Sequence, residues 1–109
     1  MERRNKKRKA VNGDVEGGII FIEPAEVYDI SLSGVRFKSH RKLDPNTQQK
    51  IALRHNTTLL QLRGTIVRSF VAHSRKIEGV SVPIYEIALN FDSMPPEKLE
   101  ILKALFLHL

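Results

Sequence analysis

The sequence has no cysteine, no tryptophan and no long uninterrupted apolar run. Without cysteine, the chain forms no disulfide and offers no thiolate to a metal. A membrane-spanning helix needs about 20 consecutive apolar residues, and a secretion signal needs an apolar core near the N-terminus. The sequence has neither, so we expect a cytoplasmic protein without membrane insertion. Its 109 residues predict a single domain, with an apolar content of 41% that can build a core.

The residue clusters that catalysis requires are also missing. There is no Gly-x-Ser-x-Gly nucleophile elbow and no Walker phosphate loop. A candidate pair of Asp29 and Ser31 has no histidine base that the sequence places beside it. The four histidines do not follow the spacing of a metal site: His40, His55, His73 and His108. We therefore expect no enzyme activity, no catalytic residue, no metal and no cofactor.

The net positive charge is concentrated at the N-terminus. Six of the first nine residues are lysine or arginine and only Glu2 is acidic, so this segment carries +5 of the formal net charge of +6. The remaining hundred residues are nearly neutral. Proteins that bind duplex nucleic acid usually spread cationic charge over a face. A basic arm on a neutral body therefore favours a small anion over a nucleic-acid polymer.

Arg4 and Arg8 form an Arg-x-x-x-Arg pair within this arm, which we assign to residues 1–13. We expect the arm to be flexible, because its cations repel one another and it has no apolar anchor. The planar fork of arginine binds a phosphate or the O6/N7 edge of guanine, and its flat face stacks on a purine. A curled arm brings both forks to one ligand, whereas an extended arm separates them by about 13 Å.

A polar turn is predicted at residues 29–34, between two strands. The carboxylate of Asp29 can accept the N1–H and N2–H₂ groups of guanine. The hydroxyls of Ser31 and Ser33 can meet a base, a ribose or a phosphate. Gly34 can adopt a positive φ and leaves room for a flat ring. The plainer alternative is a hairpin connection whose side chains bond only to the local backbone.

Taken in order, the two stretches resemble the PilZ domain, the bacterial receptor module for cyclic di-GMP. That family carries an Arg-x-x-x-Arg arm followed by an (Asp/Asn)-x-Ser-x-x-Gly turn. Here Arg4 and Arg8 precede Asp29, Ser31 and Gly34 at about the separation seen in the family. The resemblance covers nearly the whole chain. It implies a mainly β fold, a six-stranded antiparallel β-barrel with a C-terminal α-helix and a flexible basic N-terminal arm.

Residues 14–109 fit such a barrel and helix. Alternating apolar residues predict strands over residues 15–23, 25–30, 34–39, 50–55, 58–71 and 84–91, with Pro24 interrupting the first pair. Residues 72–82 are polar and predict a loop. The segment Ala88–Phe91 departs mildly from the Gly-Val-x-Phe pattern that the family often has, away from the ligand motifs.

The C-terminal segment, residues 93–109, predicts the helix. Ser93 is the expected cap, and Pro95 and Pro96 fit the first turn. Leucines at helical spacing are expected to close one mouth of the barrel. A second apolar edge, including Ile101, is the expected contact for a partner protein or for a second copy in a homodimer.

The resemblance also implies how the ligand is held. Arg4 and Arg8 would clamp a phosphate and a guanine of cyclic di-GMP, while Asp29 and Ser31 would take the opposite guanine edge beside Gly34. The arm would then fold across the barrel. A protein effector, which the sequence does not identify, would read the changed surface.

Arg3, directly before the Arg4 and Arg8 pair, bears on the number of ligands that one chain binds. In this family an arginine at that position goes with binding of a self-intercalated ligand dimer. We therefore predict two cyclic di-GMP molecules per chain.

Two other interpretations remain open. One is a small β-barrel that binds single-stranded nucleic acid through a basic arm and stacking aromatics. The chain has only five Phe and two Tyr, mostly in core phase. The other is a PilZ-like interaction module that acts without ligand. The intact motif positions argue against it.

Overall fold

The computed structural model describes residues 8–10, 16–19 and 23–107, which form seven strands and one helix. Their bounds are β1 (Arg8–Ala10), β2 (Glu16–Ile19), β3 (Glu23–Ser31), β4 (Gly34–Ser39), β5 (Gln48–His55), β6 (Thr58–Ile77), β7 (Val80–Phe91) and α1 (Pro96–Leu107). The strands are hydrogen-bonded in the order β1-β3-β2-β5-β6-β7-β4, and β4 also pairs with β3, so that β2–β7 are the six strands of the barrel. Every pairing is antiparallel. The predicted six-stranded antiparallel barrel with a C-terminal helix is confirmed.

The apolar face of each strand turns into the barrel because side chains alternate across a strand. Ile51 and Leu53 of β5 are buried together with Leu62 of β6, as their alternation predicts. Helix α1 adds Leu102 and Leu105 to the same cluster. Each such side chain contributes about 1.5–3 kcal/mol when fully buried. The helix therefore completes the core of the barrel, in agreement with the sequence pattern.

Strands β6 and β7 form a longer hairpin than the sequence predicts. The loop expected over residues 72–82 is wrong, because β6 continues to Ile77 and β7 begins at Val80. The two residues between them, Glu78 and Gly79, have φ values of 51° and 82°, which suits a tight two-residue turn. Residues 73–81 are exposed on both faces of the hairpin. Their polar composition therefore reflects solvation on two sides rather than a loop.

Two smaller expectations about prolines and caps also change. Pro24 does not separate two strands. It lies within β3, opposite Gly18 and near the end of the strand, where a missing N–H is tolerated. Ser93 is not the helix cap. The Pro95 carbonyl accepts hydrogen bonds from the backbone N–H groups of residues 98 and 99, and the helix begins at Pro96. Proline fits this first position because its missing N–H would have no partner there.

Part of the arm belongs to the sheet. Strand β1 pairs with the end of β3, with Arg8 opposite Ser31 and Ala10 opposite Asp29. The structure differs here from an arm without an anchor, because backbone pairing and side-chain contacts hold these three residues. Arg3 and Arg4 lie outside the described residues. The division of the chain near residue 13 stays a prediction.

Candidate functional site

The pairing of β1 with β3 places Arg8 beside the turn between β3 and β4. Its guanidinium donates hydrogen bonds through all three nitrogens. Nε donates to Oδ1 of Asp29, Nη1 to Oγ of Ser31 at 3.0 Å, and Nη2 to the carbonyl oxygen of Gly34 at 3.2 Å. Four of the residues that the sequence singled out therefore lie together in the structure. We call Arg8, Asp29, Ser31 and Gly34 the turn cluster.

The carboxylate of Asp29 lies between two arginines. Its Oδ1 accepts from Arg8, and its Oδ2 lies 3.5 Å from Nη1 of Arg36. The Asp29 side chain is only 19% exposed, so these charges interact in a partly dry environment. Sequence reasoning missed Arg36. A two-residue connection at positions 32 and 33 places residue 36 opposite residue 29, and this count could have identified it.

Ser31 is the most enclosed member of the turn cluster. The residue is fully buried, and its Oγ accepts a hydrogen bond from the backbone N–H of Ser33 at 3.1 Å. The Ser31 and Ser33 hydroxyls share a further hydrogen bond of 3.0 Å. The side chains of the turn therefore form hydrogen bonds within the turn, and Arg8, which is distant in sequence, adds a further hydrogen bond to Ser31. A ligand that bonds to the Ser31 hydroxyl therefore has to displace Arg8 or Ser33 from it.

Gly34 allows the strands β4 and β7 to approach each other closely. Among the described residues, Gly79 is the only glycine with a positive φ, so the expectation that Gly34 adopts one is wrong. A Cβ atom on Gly34 would lie 2.3 Å from the carbonyl oxygen of Leu89 and 3.3 Å from Cα of Asn90. Glycine is therefore required here because β4 lies against the β7 backbone.

Lys9 points to the opposite side of β1 and contacts the helix. Its Nζ donates to the carbonyl oxygen of Phe106 at 2.9 Å and lies 4.6 Å from the centroid of the Phe106 ring. The last carbonyls of a helix have no partner within the helix and carry partial negative charge. Helix α1 has no basic residue in its own last turn. Lys9 supplies the positive charge that interacts with these carbonyl groups. Strand β1 thus connects the turn cluster with the end of α1.

A second polar group lies on the outer face beside Asp29. The hydroxyl of Tyr28 donates to Oε2 of Glu86, and Nζ of Lys38 lies 5.8 Å from the Tyr28 ring centroid. Tyr28 and Glu86 border a cavity of about 180 Å³ that Arg36 and Phe70 also line. Burial raises the pKa of the Tyr28 phenol well above its usual value, and the hydrogen bond and charge of Glu86 raise it further. Tyr28 is therefore a neutral hydrogen-bond donor at neutral pH.

This pKa shift predicts a loss of stability in alkali. The unfolded chain releases the tyrosine proton near pH 10, while the folded chain retains it. The contribution of Tyr28 is therefore complete below pH 10 and declines as the pH rises further. We expect the melting temperature of the wild type to fall more steeply above pH 10 than that of Tyr28→Phe. Tyr85→Phe is the control, and parallel curves for wild type and Tyr28→Phe would contradict the assignment.

Two other kinds of feature do not occur in the part of the chain that the structure describes. Among the described residues, no group of three or more His, Asp or Glu side chains could hold a metal ion. Within the same part of the chain, no helix is long and apolar enough to cross a membrane.

Several solved structures share this fold at low sequence identity. The PilZ domain of YcgR from Escherichia coli, solved with c-di-GMP, matches with a TM-score of 0.72 and 13% identity over 99% of this chain and 92% of that chain. The K. pneumonia MrkH–c-di-GMP complex matches with a TM-score of 0.67 and 16% identity over 99% of this chain and 54% of that chain. Bacillus subtilis MotI (DgrA), an inhibitor of motility, matches with 0.67 and 15% over 99% and 51%. The chain thus spans about half the length of MrkH and MotI.

A search of curated proteins finds no match. The sequence model of the PilZ domain family, in contrast, matches residues 2–108. This match includes the arm, every strand and the helix. PilZ domains are ligand-binding receptor modules and are not an enzyme family. The chain belongs to the PilZ domain family.

Proposed function

We propose that this protein is a cytoplasmic receptor for cyclic di-GMP and that the ligand binds at the turn cluster. The observation that carries the proposal is the convergence of Arg8 on Asp29, Ser31 and the Gly34 carbonyl. The cluster offers a cation for a phosphate and a carboxylate for the donor edge of a guanine. Membership of the PilZ family and the fold shared with domains solved with c-di-GMP support the same ligand.

Binding would proceed by exchange of partners. In the structure, Arg8 uses its three donor nitrogens on the protein. A guanine that presents N1–H and N2–H₂ to Asp29 replaces one set of charge-assisted hydrogen bonds with another. The freed guanidinium then turns to a phosphate or to the O6/N7 edge of guanine. Arg36 stays near Asp29 and preserves part of its charge compensation.

The remaining predicted ligand residues are assigned with this exchange. Arg4 would join Arg8 on the ligand, and Ser33 would offer its partly exposed hydroxyl at the rim of the turn. Arg3 would contact a second, intercalated cyclic di-GMP. Arg3→Ala is therefore expected to reduce the stoichiometry from two ligands per chain to one.

The structural change caused by ligand binding would reach a partner through helix α1. Lys9 follows Arg8 directly and contacts the last turn of the helix, so movement of β1 changes the surroundings of α1. The exposed large apolar side chains of the helix are Ile101 and Leu107. We infer that a protein effector or a second copy reads this surface. Light scattering with and without cyclic di-GMP tests the dimer directly.

Isothermal titration of cyclic di-GMP into the wild-type chain tests the proposal. We expect saturable binding, with no comparable heat from GMP or from a single-stranded oligonucleotide. Asp29→Ala should remove the binding, because the guanine edge loses its acceptor. Absence of heat with cyclic di-GMP would support a ligand-independent interaction module. Binding of the oligonucleotide with steep salt dependence would support the nucleic-acid alternative.

A further inference from the structure

A second polar cavity lies on the other side of β7 from the turn cluster. The sheet order places β7 between β4, which begins at Gly34, and β6, which carries Arg63. The cavity has a volume of about 570 Å³, within the usual range for small-molecule sites. Residues of β5, β6 and the segment leading into α1 line it, among them Lys50, Arg63 and Lys98.

The cations of this cavity are placed as a group by the fold. Lys50 and Arg63 lie directly opposite each other on neighbouring strands, and both are exposed. Like charges in that arrangement destabilise a sheet. Lys98 joins them from the first turn of α1, where its Nζ donates to the carbonyl oxygen of Gln61 at 2.8 Å. The fold therefore brings three positive charges to one concave surface.

No carboxylate forms an ion pair with these three cations within the described residues. The side chains of Lys50 and Arg63 have no hydrogen-bond or ion-pair partner there. Asp92 is the one acidic residue in the lining. Neutral donors hold its carboxylate, since Gln48 Nε2 lies 3.1 Å from Oδ2 and Thr65 Oγ1 lies 3.0 Å from Oδ1. The cavity therefore combines unpaired cations with a fixed polar wall.

We propose that this cavity binds a small organic anion bearing a phosphate group, independently of the turn cluster. The Arg63 guanidinium is the group suited to a phosphate through two parallel hydrogen bonds. Lys50 and Lys98 add point charges for the remaining oxygens. Met94 and Pro95 in the lining offer apolar contact to the organic part of the ligand. An anion held here also relieves the repulsion between Lys50 and Arg63.

Titration of ¹⁵N-labelled protein with pyrophosphate at low salt tests this site. We expect saturable shifts of the Gln48 and Gln61 side-chain amides. Arg63→Gln and Lys50→Gln should each weaken the binding by about tenfold or more, which is the loss of about 1.4 kcal/mol. Lys76→Gln removes an exposed cation near the far end of the hairpin and should leave the affinity unchanged.

Further arms separate this site from the turn cluster and from other ligands. Arg8→Ala should retain pyrophosphate binding, and Arg63→Gln should retain cyclic di-GMP binding, so either site can fail without the other. Citrate, which carries carboxylates, should bind more weakly than pyrophosphate, and the reverse order would overturn the phosphate assignment. Equal affinity of wild type and Arg63→Gln would overturn the site itself. So would a lowered melting temperature of Lys50→Gln in phosphate-free buffer, because it would give that residue a structural role.

Discussion

Arg8→Ala is expected to weaken binding of cyclic di-GMP by at least about 100-fold. The substitution removes two or more charge-assisted hydrogen bonds to the ligand, each contributing about 1.5–3 kcal/mol. It also leaves the partly buried Asp29 carboxylate with Arg36 as its remaining cation at 3.5 Å. We therefore expect a moderate fall in melting temperature before ligand is added. Isothermal titration and a thermal melt measure the two effects separately.

Arg41→Ala is the matched control for Arg8→Ala. Arg41 is an exposed arginine, so its removal changes the net charge equally without touching the turn cluster. We expect wild-type affinity from this variant. Arg8→Lys separates charge from shape, because lysine restores the cation but not the planar fork. Affinity of Arg8→Ala equal to that of Arg41→Ala would contradict the assignment of Arg8.

Gly34→Ala is expected to destabilise the fold by at least about 2–3 kcal/mol, the upper part of the range for overpacked sites. Its Cβ would lie 2.3 Å from the Leu89 carbonyl oxygen, and this neighbour is backbone that the β4–β7 ladder holds in place. Relief requires the two strands to separate at the point where the turn cluster forms. Urea unfolding of the variant measures the loss.

One result would distinguish a structural from a ligand role for Gly34. A folded Gly34→Ala protein of wild-type stability that no longer binds cyclic di-GMP would show that the glycine serves ligand access instead. Gly79→Asn is the control, because Gly79 has a positive φ of 82° and open space around it. Asparagine tolerates that conformation, so we expect a small loss of stability there.

Local alternation predicts the individual strands, whereas the barrel and the turn cluster are predicted through the resemblance to the PilZ domain. Strict alternation identifies the buried faces of β4 and β5, and the spacing of Arg8 from Asp29 and Ser31 identifies the motif. The hairpin beyond residue 71 gives no such signal, since its two faces are both solvated and its polar residues are typical of a loop. Helix α1 begins at Pro96 rather than after Ser93 because proline satisfies the first helical position without a side-chain cap.

Contacts that depend on register are harder to predict. Arg36 reaches Asp29 through its position opposite it on β4, and Lys9 reaches Phe106 through alternation in a three-residue strand. Neither contact follows from composition or from a motif. The same holds for Gly34, whose role comes from the nearby β7 backbone and not from its own φ. Counting across the two-residue connection would have identified Arg36, whereas the contacts of Lys9 and Gly34 require the positions of α1 and β7.

The most direct test of the account follows the backbone amide signals of the ¹⁵N-labelled wild type during addition of cyclic di-GMP. We predict saturable shifts in the turn at residues 29–34 and at Arg8, together with shifts near Phe106 where Lys9 contacts the helix. Signals at Lys50 and Arg63 should respond far less. Saturable binding whose shifts avoid the turn cluster, or no shift at all, would contradict the proposal that this cluster is a cyclic di-GMP receptor site.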